Sequence, residues 1–336
     1  MAVRSDVRFP LGGACVAGMG ARRSGKEFWS SGAANVHGMN TDALCRMLPD
    51  LLRVEWQLNH SVRVAPLAGG MNAIVAQVHT PAGRYVAKWV PDIARASLEA
   101  GAEAAQLMTA GGLSAGQPLP TRTGSNTAPL QGGAVALLSW VSGAPLHGTE
   151  SDQALMAATL SRAHVIGGAR LHREPFFVWI DSNAPGADIE PWVKPALAAV
   201  RREFDSLPPL TWGLLHADPA PEAFHLDTAT GEVGLIDWAA ATHGPLLYDI
   251  ASAVMYLGGR DSAGTFLRRY AETSPVPVHE QSEHLDALRR FRAGVQAAYF
   301  AGRLMHRDRT GISDDADNWK GLHDAHMMLD ALDVAL

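Results

Sequence analysis

Two short apolar runs, each stopping at an aspartate, constrain this chain more than any other feature. Within WGLLHADPAPEAFHLDTATGEVGLIDWAAATHGPLLYDIA, residues 212–251, Gly213-Leu214-Leu215 leads into His216-Ala217-Asp218. Val233-Gly234-Leu235-Ile236 leads into Asp237-Trp238. Between them, Ala223-Phe224-His225-Leu226 reads as a strand, and Asp227 to Gly231 carries turn residues. A hairpin of this kind brings both carboxylates to the mouth of one cleft. There, one can accept a proton from a hydroxyl while the other holds a divalent cation.

The rest of the chain is read in order around that stretch. Asn40 to Leu58 is predicted as a helix, with a cap at Thr41-Asp42, Leu44, Met47, Leu48, Leu51 and Leu52 at helical spacing, and Pro49 as a kink or break. Strands are expected at Val62–Val64, Ile74–Val78 and Arg84–Val90, with Gly69-Gly70 in the turn between the first two. Ala96 to Ala110 is helical and carries Glu99 and Glu103 on one face. Gly111 to Gly133 reads as loops around a short strand, and Ala134 to Leu138 is a buried strand entering Ser139-Trp140-Val141. Further helices are expected at Asp152–Arg173, Val193–Phe204, Leu246–Leu257, around Phe266–Tyr270, at His284–Met305 and at Asp317–Leu336.

With 336 residues, 47% of them hydrophobic, the chain can bury a substantial core, as one two-lobed unit or as two domains. A net charge of −6 argues against nucleic acid as a partner and tolerates a cationic small molecule. Cys15 and Cys45 are too few for a disulfide framework and point to a reducing cytoplasm. No apolar run approaches the roughly 20 residues that span a bilayer, so no membrane association is expected. Residues 1–38 hold Arg4, Arg8, Arg22 and Arg23 but no continuous apolar segment of a secretory signal. They read as a Gly/Ser-rich flexible leader, or as sequence upstream of a start at Met39.

Three motifs stand in a fixed order: His216-Ala217-Asp218, Ile236-Asp237-Trp238 and Tyr248-Asp249-Ile250-Ala251. The set resembles the catalytic segment of the aminoglycoside phosphotransferases and related small-molecule kinases, with their H-G-D-x-x-x-x-N, I-D-W and Y-D-L-A patterns. The resemblance implies an α+β, two-lobed protein-kinase-like fold. Its N-lobe would be an antiparallel sheet plus helix over residues 39–141, binding nucleotide. Its C-lobe would be mainly helical over residues 142–336, carrying catalysis and the acceptor.

The implied activity is ATP- or GTP-dependent, Mg²⁺-dependent phosphorylation of a small-molecule hydroxyl. An antibiotic such as an aminoglycoside comes first as acceptor, and an amino alcohol of the homoserine or choline kind second. Phosphoryl transfer needs positioning and charge neutralisation above all. Asp218 is therefore the candidate base and Asp237 the magnesium ligand. His216 would brace the loop, Asp249 would support it, and Lys88 would meet the phosphates. Gly69 and Gly70 would allow backbone N–H groups to approach those phosphates, although on this pair alone an ordinary hairpin turn is the better reading. Backbone groups around Ser139 and Val141 would read an adenine edge.

Two departures are visible. The family's helix glutamate, partner of the lysine, falls on Gly101, which leaves Glu103 first and Glu99 second as partners for Lys88. The metal-binding Asn falls on Ala223, so Glu222 either supplies a second ligand or is simply solvated. These departures keep open a nucleotide-binding pseudokinase serving as sensor or scaffold. For the acceptor pocket, Asp314, Asp315 and Trp319 are candidates to meet a cationic amine. Gln296, Tyr299 and Arg303 share one helical face that could line the same pocket. No zinc-ligand spacing, G-x-S-x-G elbow or P-loop occurs to support other chemistries.

Overall fold

The computed structural model describes residues 39–58, 61–67 and 72–334. The expected leader and the Gly69-Gly70 turn therefore lie outside the described residues.

The first half is a sheet clamped between two helices. Helix α1 (Thr41–Glu55) is capped one residue before the expected Thr41-Asp42, by Asn40, whose Oδ1 accepts the Ala43 N–H at 2.8 Å. The helix runs through Pro49 without ending there. Strands β1 (Arg63–Pro66), β2 (Ile74–Thr80) and β3 (Gly83–Pro91) precede helix α2 (Arg95–Ala110). Strands β4 (Ala128–Leu130) and β5 (Gly133–Ser139) complete an antiparallel sheet in the order β1-β2-β3-β5-β4.

Because strand side chains alternate, the sheet offers each helix its own apolar face. Leu44, Leu48 and Leu52, four residues apart on α1, pack on Val78, Trp89, Val135 and Leu137. On the opposite face, Val90, Ala134 and Ala136 meet Leu98 of α2. The far side of α2, through Ala104, Ala105 and Met108, joins the large core of the second half. One helix thus belongs to both cores.

The second half is mainly helical. It comprises β6 (Ala144–Pro145), α3 (Glu150–Ile166), β7 (Ala169–His172), α4 (Val193–Ser206), β8 (Leu210–Leu215), β9 (Phe224–Leu226), β10 (Val233–Leu235), β11 (Thr242–Pro245), α5 (Leu247–Tyr256), α6 (Gly264–Thr273), α7 (Val278–His306) and α8 (Ala316–Ala331). The expected helix to Arg173 stops at Ile166, since Gly167-Gly168 follows and Gly168 adopts φ +77°. The chain then turns back as β7.

The two apolar runs do not share one hairpin. β8 is the centre of a sheet ordered β11-β8-β7, whereas β9 and β10 form the hairpin of a second sheet ordered β10-β9-β6. Glu280 near the start of α7 is buried and accepts both the N–H and the hydroxyl of Thr211, which ties the head of β8 to that long helix. Among the described residues, no helix is long and apolar enough to cross a membrane.

Candidate active site

The loop after β8 is clamped from behind. Asp249, in the first turn of α5, is fully buried and accepts the Ala217 N–H on Oδ1 at 2.7 Å and the His216 N–H on Oδ2 at 2.8 Å. Buried His164 of α3 also reaches Asp249 Oδ2 at 3.0 Å, and its other ring nitrogen meets the Tyr270 hydroxyl at 2.6 Å. This bracing meets a specific need. Ala217 stands at φ +68°, in the left-handed region where a Cβ costs about 1–2 kcal/mol. That position is the glycine of the H-G-D pattern, and two charge-assisted backbone hydrogen bonds hold an alanine there instead.

His216 ties this loop to the one after β10. Its Nε2 lies 2.8 Å from the Ile236 carbonyl, which can only accept, so the ring proton sits on Nε2. Nδ1 is then an acceptor for the Asp218 N–H at 3.3 Å. Burial pushes the imidazole below its ordinary range, which favours this neutral tautomer. Ile236 N–H in turn donates to the Ala223 carbonyl at 2.9 Å, so the loop carrying Asp218 and the strand end carrying Asp237 are stitched twice.

Asp218 is 7% exposed. Tyr256, the last residue of α5, donates its hydroxyl to Oδ1, and Arg292 Nη2 of α7 lies 3.5 Å from the same oxygen. Burial, helped by the charges of Asp237 and Glu222, pushes the carboxyl up to about 7, while Arg292 and Tyr256 oppose the rise. A carboxylate poised there suits proton transfer near neutral pH.

Asp237 follows β10 with φ +66° and ψ +55°. Its carboxylate pairs with Lys88 of β3, joining the two halves of the molecule. Crowding by the surrounding chain works against its charge, although the side chain keeps 43% of its surface, and Lys88 more than offsets this, holding the carboxyl below the usual range. The lysine's expected partner is thus corrected. Glu103 is exposed on α2, and Glu99 takes the Thr127 hydroxyl at 2.9 Å. A glutamate at Gly101 has no room, because a Cβ there would stand 2.5 Å from the Trp238 carbonyl oxygen and 2.8 Å from Ala239 Cα. Helix α2 rests directly on the backbone of the turn that follows Asp237, and Lys88 reaches across to Asp237 itself.

The Ser139 N–H donates to the Gln117 carbonyl at 2.9 Å. Val141 is buried, and its side chain occupies the space over Gly234, where a Cβ would meet Val141 Cγ1 at 2.4 Å.

Glu222 lies on the short turn Pro221–Ala223, half-buried, close enough to Asp218 to raise its carboxyl. Among the described residues, no three His, Cys, Asp or Glu side chains converge as a metal cage. Asp237 and Glu222 are hard oxygen donors, and they suit an ion that takes one or two carboxylates and completes its shell with phosphate and water.

The proposed acceptor-pocket residues are largely spent. Asp315 pairs with Arg309 at 2.5 Å, and Asp314 Oδ1 accepts the Ala316 N–H at 2.8 Å. Gln296 donates to the Gly321 carbonyl at 3.1 Å. Tyr299 OH and Arg303 Nη1 both reach Asn72 Oδ1, at 2.6 and 2.9 Å, linking α7 to the start of β2. Of the face read as a possible pocket wall, Tyr299 and Arg303 meet the first half and Gln296 meets α8. Sequence reasoning missed Tyr256 and Arg292. The signal for Arg292 was a charged residue amid Leu288, Phe291 and Val295 on a buried helix, all fully buried in the structure.

The family profile described as "Phosphotransferase enzyme family" matches residues 63–309. The chain belongs to that family and is a small-molecule phosphotransferase. Its fold is the protein-kinase-like one of its structural neighbours. An amicoumacin kinase, hAmiN, solved in complex with AMP-PNP and Ca²⁺, is 15% identical with a TM-score of 0.64, covering 87% of this chain and 96% of its own. An ethanolamine kinase of Plasmodium vivax is 14% identical with a TM-score of 0.62, covering 92% and 93%. The choline kinase LicA of Streptococcus pneumoniae is 16% identical with a TM-score of 0.61, covering 85% and 98%. No curated protein matches the sequence.

Proposed function

We propose that this protein transfers the γ-phosphoryl group of ATP or GTP to a hydroxyl of a small molecule, in the cytoplasm. Residues 39–141 would serve as the nucleotide-binding lobe and residues 142–336 as the catalytic and acceptor-binding lobe. The observation that carries this reading is the meeting of Lys88 with Asp237 beside a buried, braced Asp218. A cation for phosphate, an anion for metal and a base for a hydroxyl are the three charges such a transfer needs. Asp218 takes the acceptor proton, and Lys88 draws the phosphates toward β3. The Ser139 carbonyl and the Val141 backbone orient the base, and Gly69-Gly70 lets the backbone near the phosphates. Mg²⁺ would be held by Asp237, with Glu222 as second ligand directly or through water, and would neutralise phosphate charge.

Antibiotics such as aminoglycosides and amino alcohols of the choline or homoserine kind are the two acceptor classes to test, since structural neighbours include kinases of both. Mg²⁺-dependent ADP or GDP release over a panel of both classes, with Asp218→Ala as control, is the experiment. Acceptor-stimulated release lost in the variant establishes the kinase and names its substrate class. Tight nucleotide binding with no stimulated release leaves an acceptor outside the panel or a pseudokinase, and raises the second, to which the missing Asn at Ala223 lends weight and against which the retained Asp218, Asp237 and Lys88 argue. The Glu222 assignment has its own check. Glu222→Ala should raise the Mg²⁺ concentration needed for half-maximal rate, and full activity at limiting Mg²⁺ sinks it.

A further inference from the structure

We infer that Tyr256 and Arg292 are positioning residues that lock one oxygen of Asp218, Oδ1, and so leave Oδ2 as the atom that takes the acceptor's proton. This rests on Asp218 being the base of the proposed reaction. Tyr256 OH and Arg292 Nη2 both address Oδ1. The grip comes from two helices at once. Ser252 and Tyr256 lie one turn apart on α5; Ser252 Oγ accepts Arg292 Nε at 3.0 Å while Tyr256 holds the carboxylate. On α7, Gln296 Oε1 faces Arg292 Nη1 at 3.5 Å from one turn further along.

A guanidinium that is 1% exposed is expensive to bury, and its surroundings on α7 are apolar, so packing alone would be served by leucine or methionine. What the position gains from arginine is one planar group whose Nε and Nη1 are held by Ser252 and Gln296 while its Nη2 faces Asp218 Oδ1. An unrestrained carboxylate could rotate and offer either oxygen. With Oδ1 held, rotation is blocked and Oδ2 is presented in one orientation. In the step itself, the acceptor O–H gives its proton to Oδ2 and its oxygen bonds the γ-phosphorus. The bond from that phosphorus to the β,γ-bridging oxygen breaks, and its electron pair leaves with the nucleoside diphosphate. Tyr256 and Arg292 exchange no proton in this step.

The test uses the full chain with Mg·ATP, with water as acceptor and with whichever panel compound stimulates turnover. Tyr256→Phe keeps the ring and removes the hydroxyl; Arg292→Gln removes the charge; Arg292→Lys restores charge without the fork. Expected losses in kcat are about tenfold for Tyr256→Phe and about 100-fold for Arg292→Gln, with Arg292→Lys recovering roughly tenfold and KM for nucleotide and acceptor within about twofold. Unchanged kcat in Tyr256→Phe and Arg292→Gln overturns the proposal. So does a loss confined to acceptor KM, which would make Arg292 a substrate ligand, or equal kcat loss in the Gln and Lys variants. Should Arg292→Gln fail to fold, Tyr256→Phe decides by the same split between kcat and KM. Asp218→Asn is run alongside: retained turnover there rejects the base assignment itself, whatever the other variants do.

Discussion

Two aspartates end two strands a few residues from each other in space, and the fold treats them in opposite ways. Asp218 is 7% exposed, and the loop that carries it is bound by Asp249, itself backed by His164, and tied through His216 to the Ile236 carbonyl. The Asp237 side chain keeps 43% of its surface and is held by Lys88, itself at the end of a flexible stem. Each stands beside left-handed backbone, at Ala217 in one case and at its own Cα in the other. The difference fits the roles proposed for them. A base has to be aimed and kept from water, whereas a ligand for a hydrated ion has to stay reachable and be able to exchange one cation for another.

The contrast can be broken most sharply at the base. Asp218→Asn should lower acceptor-stimulated nucleotide cleavage by about 10²–10⁴-fold, the usual span of general-base catalysis, while leaving nucleotide binding near its starting value. In the unaltered protein the same carboxyl must be ionised to act, and it is pushed up to about 7. The kcat/KM profile should therefore be flat above that pH and fall about tenfold per unit below it. A profile flat down to pH 5 would place the essential base elsewhere.

At the open aspartate the loss should take another form. Asp237→Asn removes the charge that faces Lys88 and any bound ion, so the Mg²⁺ requirement should rise and kcat should fall by about 10²-fold. Excess Mg²⁺ should rescue part of that loss, and it should do nothing for Asp218→Asn. Equal behaviour of the two variants in a metal titration would erase the distinction.

The clamp behind Asp218 predicts a stability effect that Asp237 lacks. Asp249→Asn deprives the His216 and Ala217 N–H groups of a charged acceptor, and should cost about 2–3 kcal/mol in urea unfolding. The smallest change sharpens the same point. Ala217→Gly relieves a strained φ of +68° and should stabilise by up to about 1 kcal/mol, with activity retained. Destabilisation by glycine would mean that the strain is already relieved by some other contact.

How much of this could be read from the chain depends on sequence distance. The two aspartates, the histidine between strand and base, and the supporting Asp249 all fall within forty residues, each at the end of a recognisable apolar run or helix start. Local pattern carries that information, and the structure places them together. The partner of Lys88 lies 149 positions away, and no periodicity relates β3 to the turn after β10. A helix glutamate, Glu103 first and Glu99 second, was the expectation, but Glu103 is exposed and Glu99 takes the Thr127 hydroxyl. Arg292 and Tyr256 were missed for a related reason. Each reads as one polar residue in a core-facing helix until α5 and α7 are docked. The helix predicted through Arg173 failed on local grounds instead, since apolar spacing was followed past a Gly-Gly pair that ends it.

Gly101 acts as a spacer of no thickness. Helix α2 touches the Trp238–Ala239 backbone without any side chain between them, and its far side is rooted in the larger core. Any residue with a Cβ at this position would push α2 off the turn after Asp237, so the glycine sets how closely the first half of the molecule seats on the second.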